Sequence, residues 1–197
     1  MTVKFYLASD LHLEFGALTI DNTDNVDCLI LAGDVIELRH LKESGTPQQH
    51  WVLEFFKNVS SQFPHVIWIP GNHEYYESWF MQHSLDKARQ WLAKHNITNV
   101  QLVNCATVDV KGIPVHCATL WTDLKGGDPV VVFDAGNTMN DYRKIRGATP
   151  ASAGRRITPA DTRQLHADAM KFLADATSDN APCVVVTHHQ PTFLGLS

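Results

Sequence analysis

The stretch that decides the fold of this chain is Ile67-Trp68-Ile69-Pro70-Gly71-Asn72-His73-Glu74. Its apolar part begins at His65 and is rich in β-branched and aromatic residues, which is typical of a short buried strand. The Pro-Gly pair ends that strand. Open α/β sheets bind their ligands just outside the carboxyl ends of their strands. We therefore expect Asn72, His73 and Glu74 to lie at a binding edge of a sheet.

Three further stretches have the same form, an apolar run followed at once by polar residues. They are Val3 to Ala8 before Ser9-Asp10-Leu11-His12, Cys28 to Ala32 before Gly33-Asp34, and Cys183 to Val186 before Thr187-His188-His189. Each run is short, apolar and bounded, and so predicts a buried strand. Four strand ends would then place Asp, Asn and His side chains together at one edge of a sheet.

The remaining pattern predicts helices that cover the sheets. Thr46-Pro47-Gln48-Gln49 and Thr158-Pro159-Ala160-Asp161 are typical helix starts, in which a capping residue precedes a proline. Another helix is predicted from about Ser78 to His95. Apolar residues recur at helical spacing after each start. The chain is thus predicted to be an α/β protein, with helices packed over two sheets or over one mixed sheet.

Two further segments lie between the helix from Ser78 to His95 and the helix start at Thr158. The first predicts a regular hairpin, and the second predicts mostly irregular structure. Val108 to Val110 and Ile113 to Val115 flank Lys111-Gly112, which predicts a tight hairpin. From Trp121 to Ile157 we find no long periodic segment, and we predict there only a short strand, Val130 to Phe133, and a helical turn, Asn137 to Lys144. A long irregular segment inside a compact domain is usually functional or mobile.

Length and composition narrow the class of protein. A chain of 197 residues is predicted to form a single domain, residues 1–197. The formal net charge of -5 argues against a non-specific nucleic-acid binder. The four cysteines form no C-x-x-C pair, and no apolar run approaches the ~20 residues of a membrane span. Because the first strand starts without a charged leader, we expect a cytoplasmic protein with no membrane segment.

The polar residues at the strand ends are competent metal ligands. Asp10 and His12 are two positions apart, and in extended backbone their side chains would project to the same side and grip one ion. An Asp-x-His pattern alone fits a polar loop equally well. Of His188 and His189, only one is expected to be a ligand, since adjacent strand residues point to opposite faces. Mixed carboxylate, amide and imidazole ligands suit Mn, Fe or Zn.

The order of these motifs is similar to that of a known family. Four motifs together resemble those of the calcineurin-like metallophosphoesterases: D-x-H at Asp10, G-D at Gly33, G-N-H-E at Gly71, and a histidine after a late strand, His188. The resemblance runs from Asp10 to His188, nearly the whole chain. It implies an α/β sandwich, with two central mixed β-sheets flanked by helices and a dinuclear metal centre at the strand ends.

The resemblance also implies a role for each matching residue. Asp10 and His12 would hold a first divalent ion, and Asn72 and His188 would hold a second. Asp34 would bridge both ions. His73 would contact the phosphate or leaving group, and Glu37 would orient His73. The ions would be Mn, Fe or Zn.

One part of the family pattern is missing from this sequence. The family continues with a late G-H-x-H, whose histidines complete the two metal sites, and no such motif occurs here. The fold is therefore expected to be shortened at its carboxyl terminus. We expect open coordination positions and weaker metal binding, with the Asp10 side filled before the side of Asn72 and His188.

The implied activity is hydrolysis of a small-molecule phosphate mono- or diester. Two ions ~3.5–4 Å apart would hold a bridging hydroxide that attacks phosphorus, and His73 would protonate the leaving alkoxide. Candidates for phosphate recognition in the long loops are Arg39, Arg143, Arg146, Arg155 and Arg156. Two alternatives stay open: a metal-hydroxide esterase acting on carboxylic or other esters, and a non-catalytic metal-binding protein.

Overall fold

Two β-sheets lie at the centre of the structure, a computed structural model that describes residues 2–42, 45–147 and 154–192. The first sheet has the strand order β1-β2-β3-β4 and the second β5-β6-β7. The strands are β1 (Phe5–Ala8), β2 (Cys28–Ala32), β3 (His65–Ile69), β4 (Val100–Leu102), β5 (Ala106–Val110), β6 (Ile113–Ala118) and β7 (Val184–Thr187). The predicted α/β sandwich is confirmed.

The two sheets differ in the direction of their strands. All pairs in the first sheet are parallel. In the second sheet β5 pairs antiparallel with β6 through the predicted hairpin, whereas β6 and β7 are parallel. Two mixed sheets were predicted, but only the second is mixed. The first is parallel because each of its connections is a crossover, two of them containing a long helix.

Helices cover the sheets on their outer faces. The helices of more than one turn are α1 (Pro47–Gln62), α2 (Met81–Lys94), α4 (Pro129–Thr138) and α6 (Pro159–Ala176), with one-turn segments α3 (Leu124–Gly127) and α5 (Asp141–Lys144) and 3₁₀ turns at Leu38–Leu41 and His73–Tyr75. The predicted starts of α1 and α6 are confirmed. The Thr46 hydroxyl accepts the backbone N–H of Gln49, and the Asp161 carboxylate accepts the backbone N–H of Thr158.

The segment from 121 to 157 is more regular than predicted. The predicted strand from Val130 to Phe133 is wrong, because these residues lie in α4. Asp128 caps that helix by accepting the backbone N–H of Val130, and Pro129 occupies its first turn. The Asp-Pro start outweighs the strand preference of the valines that follow. Residues 148–153, which are also part of the predicted irregular segment, lie outside the described residues.

The central strands have apolar residues on both faces because both faces are covered. On one face Leu29 and Leu31 of β2 pack in a core with α1 and α2. On the other, Cys28 and Ile30 pack in a core with residues of the second sheet such as Val115. This explains the unbroken apolar runs read in the sequence. Of the helices in the described ranges, none has the length and apolarity to cross a membrane.

Candidate metal centre

The loops after β1 and β2 run side by side and bring the first two motifs together. The backbone N–H of Asp10 donates to the carbonyl of Gly33, and that of His12 donates to the carbonyl of Asp34, both at 3.0 Å. Asp10, His12 and Asp34 all have positive φ, between 47° and 55°. The extended backbone assumed for the Asp10-His12 pair is therefore wrong, since left-handed residues do not alternate as a strand does.

Asp34 stands between two groups of potential metal ligands. One group is His12, Asp34 and His73, and the other is Asp10, Asp34 and His188; within each, one ligand atom per residue lies within 4.8 Å of the others. Asp34 uses a different oxygen toward each side. Oδ2 lies 3.9 Å from Nε2 of His12, and Oδ1 lies 3.5 Å from Nε2 of His188. Asp34 thus has the position of a shared ligand between two sites.

The orientation of His12 is fixed by Glu14. Nδ1 of His12 lies 2.9 Å from Oε1 of Glu14. Because an ionised carboxylate only accepts hydrogen bonds, the imidazole donates from Nδ1. In the neutral imidazole, Nε2 then carries the lone pair and is directed toward Asp34, as in histidine ligands held by a carboxylate. Burial alone would raise the pKa of Glu14, but the neighbouring imidazoles of His73 and His12 outweigh burial and lower it to about 2.

The orientation of His188 is fixed in the same way by a backbone group. Its Nδ1 lies 2.8 Å from the carbonyl oxygen of Ala32, the last residue of β2. The carbonyl only accepts, so Nδ1 carries the proton and Nε2 faces the site. That Nε2 lies 3.3 Å from Oδ1 of Asn72. The side chain of His188 is only 7% exposed.

Asp141 determines which end of the Asn72 amide enters the site. Nδ2 of Asn72 donates to Oδ1 of Asp141 at 2.8 Å, and the hydroxyl of Tyr76 donates to the same oxygen at 2.6 Å. Since the carboxylate cannot donate in return, the amide nitrogen points to Asp141 and the amide oxygen points to His188. Three acceptor atoms, from His188, Asn72 and Asp34, therefore converge. A cation stabilises such an arrangement, and these donors fit a divalent ion.

Glu74 ties the ends of β2 and β3 together beneath Asp34. Its carboxylate is fully buried and accepts the backbone N–H groups of Asp34, Val35 and Gly71 and the indole N–H of Trp68. Burial, with the nearby charge of Asp34, raises the pKa of Glu74, and these hydrogen bonds oppose the rise. Glu74 accepts from every one of these donors, so its position supports the two strand ends and leaves the Asp34 carboxylate to face the two ligand groups.

Two glycines allow the strand ends to approach closely. A Cβ at Gly33 would lie 2.5 Å from Nδ1 of His188, and a Cβ at Gly71 would overlap Oδ1 of Asp34. Any side chain at either position would push a potential ligand away. The glycines of the G-D and G-N-H-E motifs are therefore required by space at this site.

His73 lies on the His12 side, against Tyr76. Its Nε2 is 4.0 Å from Oδ2 of Asp34, and its ring stacks on that of Tyr76 with centroids 4.2 Å apart. Nδ1 of His73 is 3.7 Å from Oε1 of Glu14, too long for a direct hydrogen bond but close enough for an ion pair. Glu14 raises the pKa of His73 above its ordinary value, against the opposing effect of burial. A protonated His73 is thereby favoured.

Glu37, the residue expected to orient His73, has other contacts. It belongs to one group of potential ligands with Glu14 and His73. Its Oε2, however, lies 2.5 Å from Nε of Arg39. The nearer carboxylate to His73 is that of Glu14, which was not predicted. Glu14 follows His12 by two residues, so the local sequence D-L-H-L-E could have indicated its role. No comparable local pattern indicates the roles of Asp141 and Tyr76.

Within the described residues, the candidate phosphate-binding arginines divide into two that form ion pairs and three that do not. Arg39 pairs with Glu37 and Glu77, and Arg155 pairs with Asp161. The side chains of Arg143, Arg146 and Arg156 line a cavity of about 560 Å³ together with Lys144. The structure thus separates two arginines held in ion pairs from three that face a common space.

Comparison with known proteins identifies the family. A family model described as calcineurin-like phosphoesterase matches residues 3–196. The chain therefore belongs to the calcineurin-like phosphoesterases, and the family predicted from its motifs is confirmed. This family typically binds two divalent metals, and the described residues contain candidate ligand groups for them. Membership supports a metal-dependent phosphoester hydrolase.

Two individual proteins are similar to this chain. It is 25% identical over 195 residues to the uncharacterized protein L509 of Acanthamoeba polyphaga mimivirus, covering 94% of this chain and 67% of that protein. Its structure resembles that of the phosphopantetheinyl hydrolase PptH from Mycobacterium tuberculosis, with a TM-score of 0.57, 18% identity, and coverage of 95% of this chain and 68% of the other. At this identity the structural likeness shows a shared fold.

Proposed function

We propose that this chain is a phosphoesterase that acts on a small-molecule phosphoester with two divalent ions, one on each side of Asp34. One observation carries the proposal: bare acceptor atoms converge from both sides on the two oxygens of Asp34. Without a cation, so many acceptors in a partly buried space would be unfavourable. The family of the chain supports the same chemistry.

The residues of each side would hold their ion through atoms that are already oriented. On one side, His12 offers Nε2 because Glu14 takes its Nδ1 proton. On the other, His188 offers Nε2 and Asn72 offers Oδ1. Asp10 belongs to the His188 group. Bound ions would supply an activated water and would offset the negative charge of the reacting phosphoryl group. The mixed oxygen and nitrogen donors suit Mn, Fe or Zn.

His73 would supply the proton for the leaving oxygen. Glu14 favours its protonated form, and stacking on Tyr76 fixes the plane of its ring. Nε2 faces the same oxygen of Asp34 as does Nε2 of His12. A proton held at that atom would be within the site and would be delivered to the departing alkoxide. This role requires His73 to remain outside the set of ligands.

Metal content and substrate preference test this proposal together. The purified protein is loaded with Mn²⁺, Fe²⁺ or Zn²⁺, its metal content is measured, and p-nitrophenyl phosphate, bis-p-nitrophenyl phosphate and p-nitrophenyl acetate are assayed in parallel. We expect metal-dependent release of p-nitrophenol from a phosphoester, abolished by chelator and restored by the metal. Turnover of the acetate alone would indicate a carboxylic esterase. Tight metal binding without turnover of any substrate would indicate a binding protein.

A further inference from the structure

Outside the metal centre, the strongest candidate for a binding site is a cavity lined by three arginines that have no carboxylate partner among the described residues. It has a volume of about 560 Å³, which is within the range of small-molecule sites. Its lining residues are Tyr75, Glu77, Ser78, Trp79, Phe80, Arg143, Lys144, Arg146 and Arg156. Four of these are cationic, in a chain whose net charge is -5. The cavity is thus a local concentration of positive charge.

The single acidic residue of that lining does not neutralise the cavity. Oε2 of Glu77 lies 2.6 Å from Nη1 of Arg39, a cation outside the lining that also contacts Glu37, so Glu77 offsets at most one of the four positive charges. In the part of the chain that the structure describes, no carboxylate forms an ion pair with Arg146 or Arg156. Arg143 donates to a backbone carbonyl and keeps its charge. The cavity therefore offers net positive charge to a ligand.

The cavity adjoins the metal centre on the side of His73. The Lys144 ammonium lies 4.9 Å from the centre of the Tyr76 ring. The ring of His73 stacks on the same tyrosine. The one-turn helix α5 links the two places, because Asp141 at its start contacts Asn72 and Lys144 at its end lines the cavity. The cavity and the candidate ligand groups are therefore neighbours that share Tyr76 and α5 as their boundary.

From these observations we infer that the cavity binds a second phosphate group, carried by the leaving-group part of the substrate. The guanidinium groups of Arg146 and Arg156 match a phosphate through paired N–H donors, which a single ammonium cannot offer. Phe80, 42% exposed, provides an apolar wall for the part of the substrate that joins the two phosphates. Because His73 protonates the leaving oxygen, its side of the centre is the side from which the leaving group extends. The direction in which the substrate lies rests on the proposed function. The binding of an anion in the cavity does not.

The test compares two substrates that differ only in the distant phosphate, hexanediol bisphosphate and hexyl phosphate. With the metal-loaded protein we expect a lower KM for the bisphosphate. The double variant Arg146→Gln/Arg156→Gln should raise that KM by about tenfold or more, since each arginine contributes charge-assisted hydrogen bonds. Its KM for hexyl phosphate should change by less than about twofold, because rim charges without a direct contact contribute little. The matched control Lys57→Gln/Lys94→Gln removes the same charge elsewhere on the exposed surface and should leave both KM values unchanged.

A binding measurement separates this inference from the proposed function. Hexanediol bisphosphate is titrated by calorimetry into chelator-treated protein, with and without the double substitution. Binding that is lost in the double variant supports the cavity as an anion site, even if no phosphoester is hydrolysed and the proposed function fails. Equal KM values for the two substrates, or an unchanged KM in the double variant, would overturn the inference and leave the phosphoesterase proposal standing.

Discussion

The side-chain amide of Asn72 donates a hydrogen bond to the carboxylate of Asp141, 2.8 Å away. The two residues are 69 positions apart, and Asp141 is 3% exposed. The bond holds the amide so that its oxygen faces His188, and on that side of the proposed centre Asn72 therefore presents an acceptor and not a donor.

Asp141→Asn should weaken metal binding on the His188 side. An amide at this position can donate as well as accept, so it no longer fixes the orientation of Asn72. Loss of a partner that orients a ligand typically lowers metal affinity by about 10–100-fold. Calorimetric metal titration should show the weaker of two binding events shifted and the other retained. Asp134→Asn, an exposed change on α4, is the matched control, and equal effects of the two variants would contradict the role of Asp141.

Gly71→Ala should disturb the centre through space alone. Its added Cβ would overlap Oδ1 of Asp34 and lie 2.7 Å from Nε2 of His188. Either the strand end or a ligand must move, so metal content after gel filtration should fall. Gly16→Ala is the control, because a Cβ there meets nothing within 4 Å. Normal metal content in the Gly71 variant would contradict a requirement for glycine at this approach of the strand ends.

Asp34→Asn should remove more metal than any other single substitution in the centre. Asp34 faces both ligand groups through its two oxygens, whereas each of the other proposed ligands serves one group. Elemental analysis of the purified variant is expected to show neither site filled. Asp86→Asn changes a surface residue that pairs with Arg89, and it controls for a general loss of carboxylate charge. Two ions bound per chain in the Asp34 variant would eliminate the shared-ligand assignment.

His73→Ala should keep its metals and lose turnover. General acid catalysis typically contributes about 10²–10⁴-fold, and more for poor leaving groups than for good ones. We therefore expect the loss to be larger for alkyl phosphates than for p-nitrophenyl phosphate. An equal loss for both kinds of ester, or loss of bound metal, would argue that His73 is a ligand and not the proton donor.

Asp161→Asn should destabilise the fold in a pH-dependent way. Burial alone would raise the pKa of Asp161, but the hydrogen bonds from Arg155 and Thr158 outweigh it and lower the pKa below its ordinary value. The stabilisation is therefore fully present above the ordinary carboxyl pKa and is lost as the pH falls through the lowered one. Urea unfolding should show a deficit of about 1 kcal/mol at neutral pH, typical of a lost helix cap.

The control for this helix start is Asp168→Asn, an exposed change within α6. It should alter the free energy of unfolding by less than about 0.5 kcal/mol at either pH. A deficit in the Asp161 variant that stays constant down to strongly acidic pH would show that the lost stability is unrelated to the charge of this carboxylate.

The sequence by itself determined the strands and the residues at their ends. Apolar runs that stop at Gly-Asp or Pro-Gly-Asn-His are local patterns, and a parallel sheet necessarily brings such ends to one edge. Helix starts at Thr46 and Thr158 were equally local, since cap and proline lie within four residues. The valine run in α4 is the exception, because strand preference and helix start conflict within one short segment, and the Asp128-Pro129 start prevails.

Tertiary structure alone decided how the ligands are oriented and what surrounds them. Which oxygen of Asp34 faces which histidine, and which end of Asn72 enters the site, depend on hydrogen bonds between side chains distant in the chain. The same holds for the pairing of Arg39 and for the lack of a carboxylate partner, among the residues that the structure describes, at Arg146 and Arg156. Sequence periodicity encodes burial, because burial repeats along a helix or strand. It does not encode contacts between loops, which exist only after the sheets and helices have packed and brought those loops together.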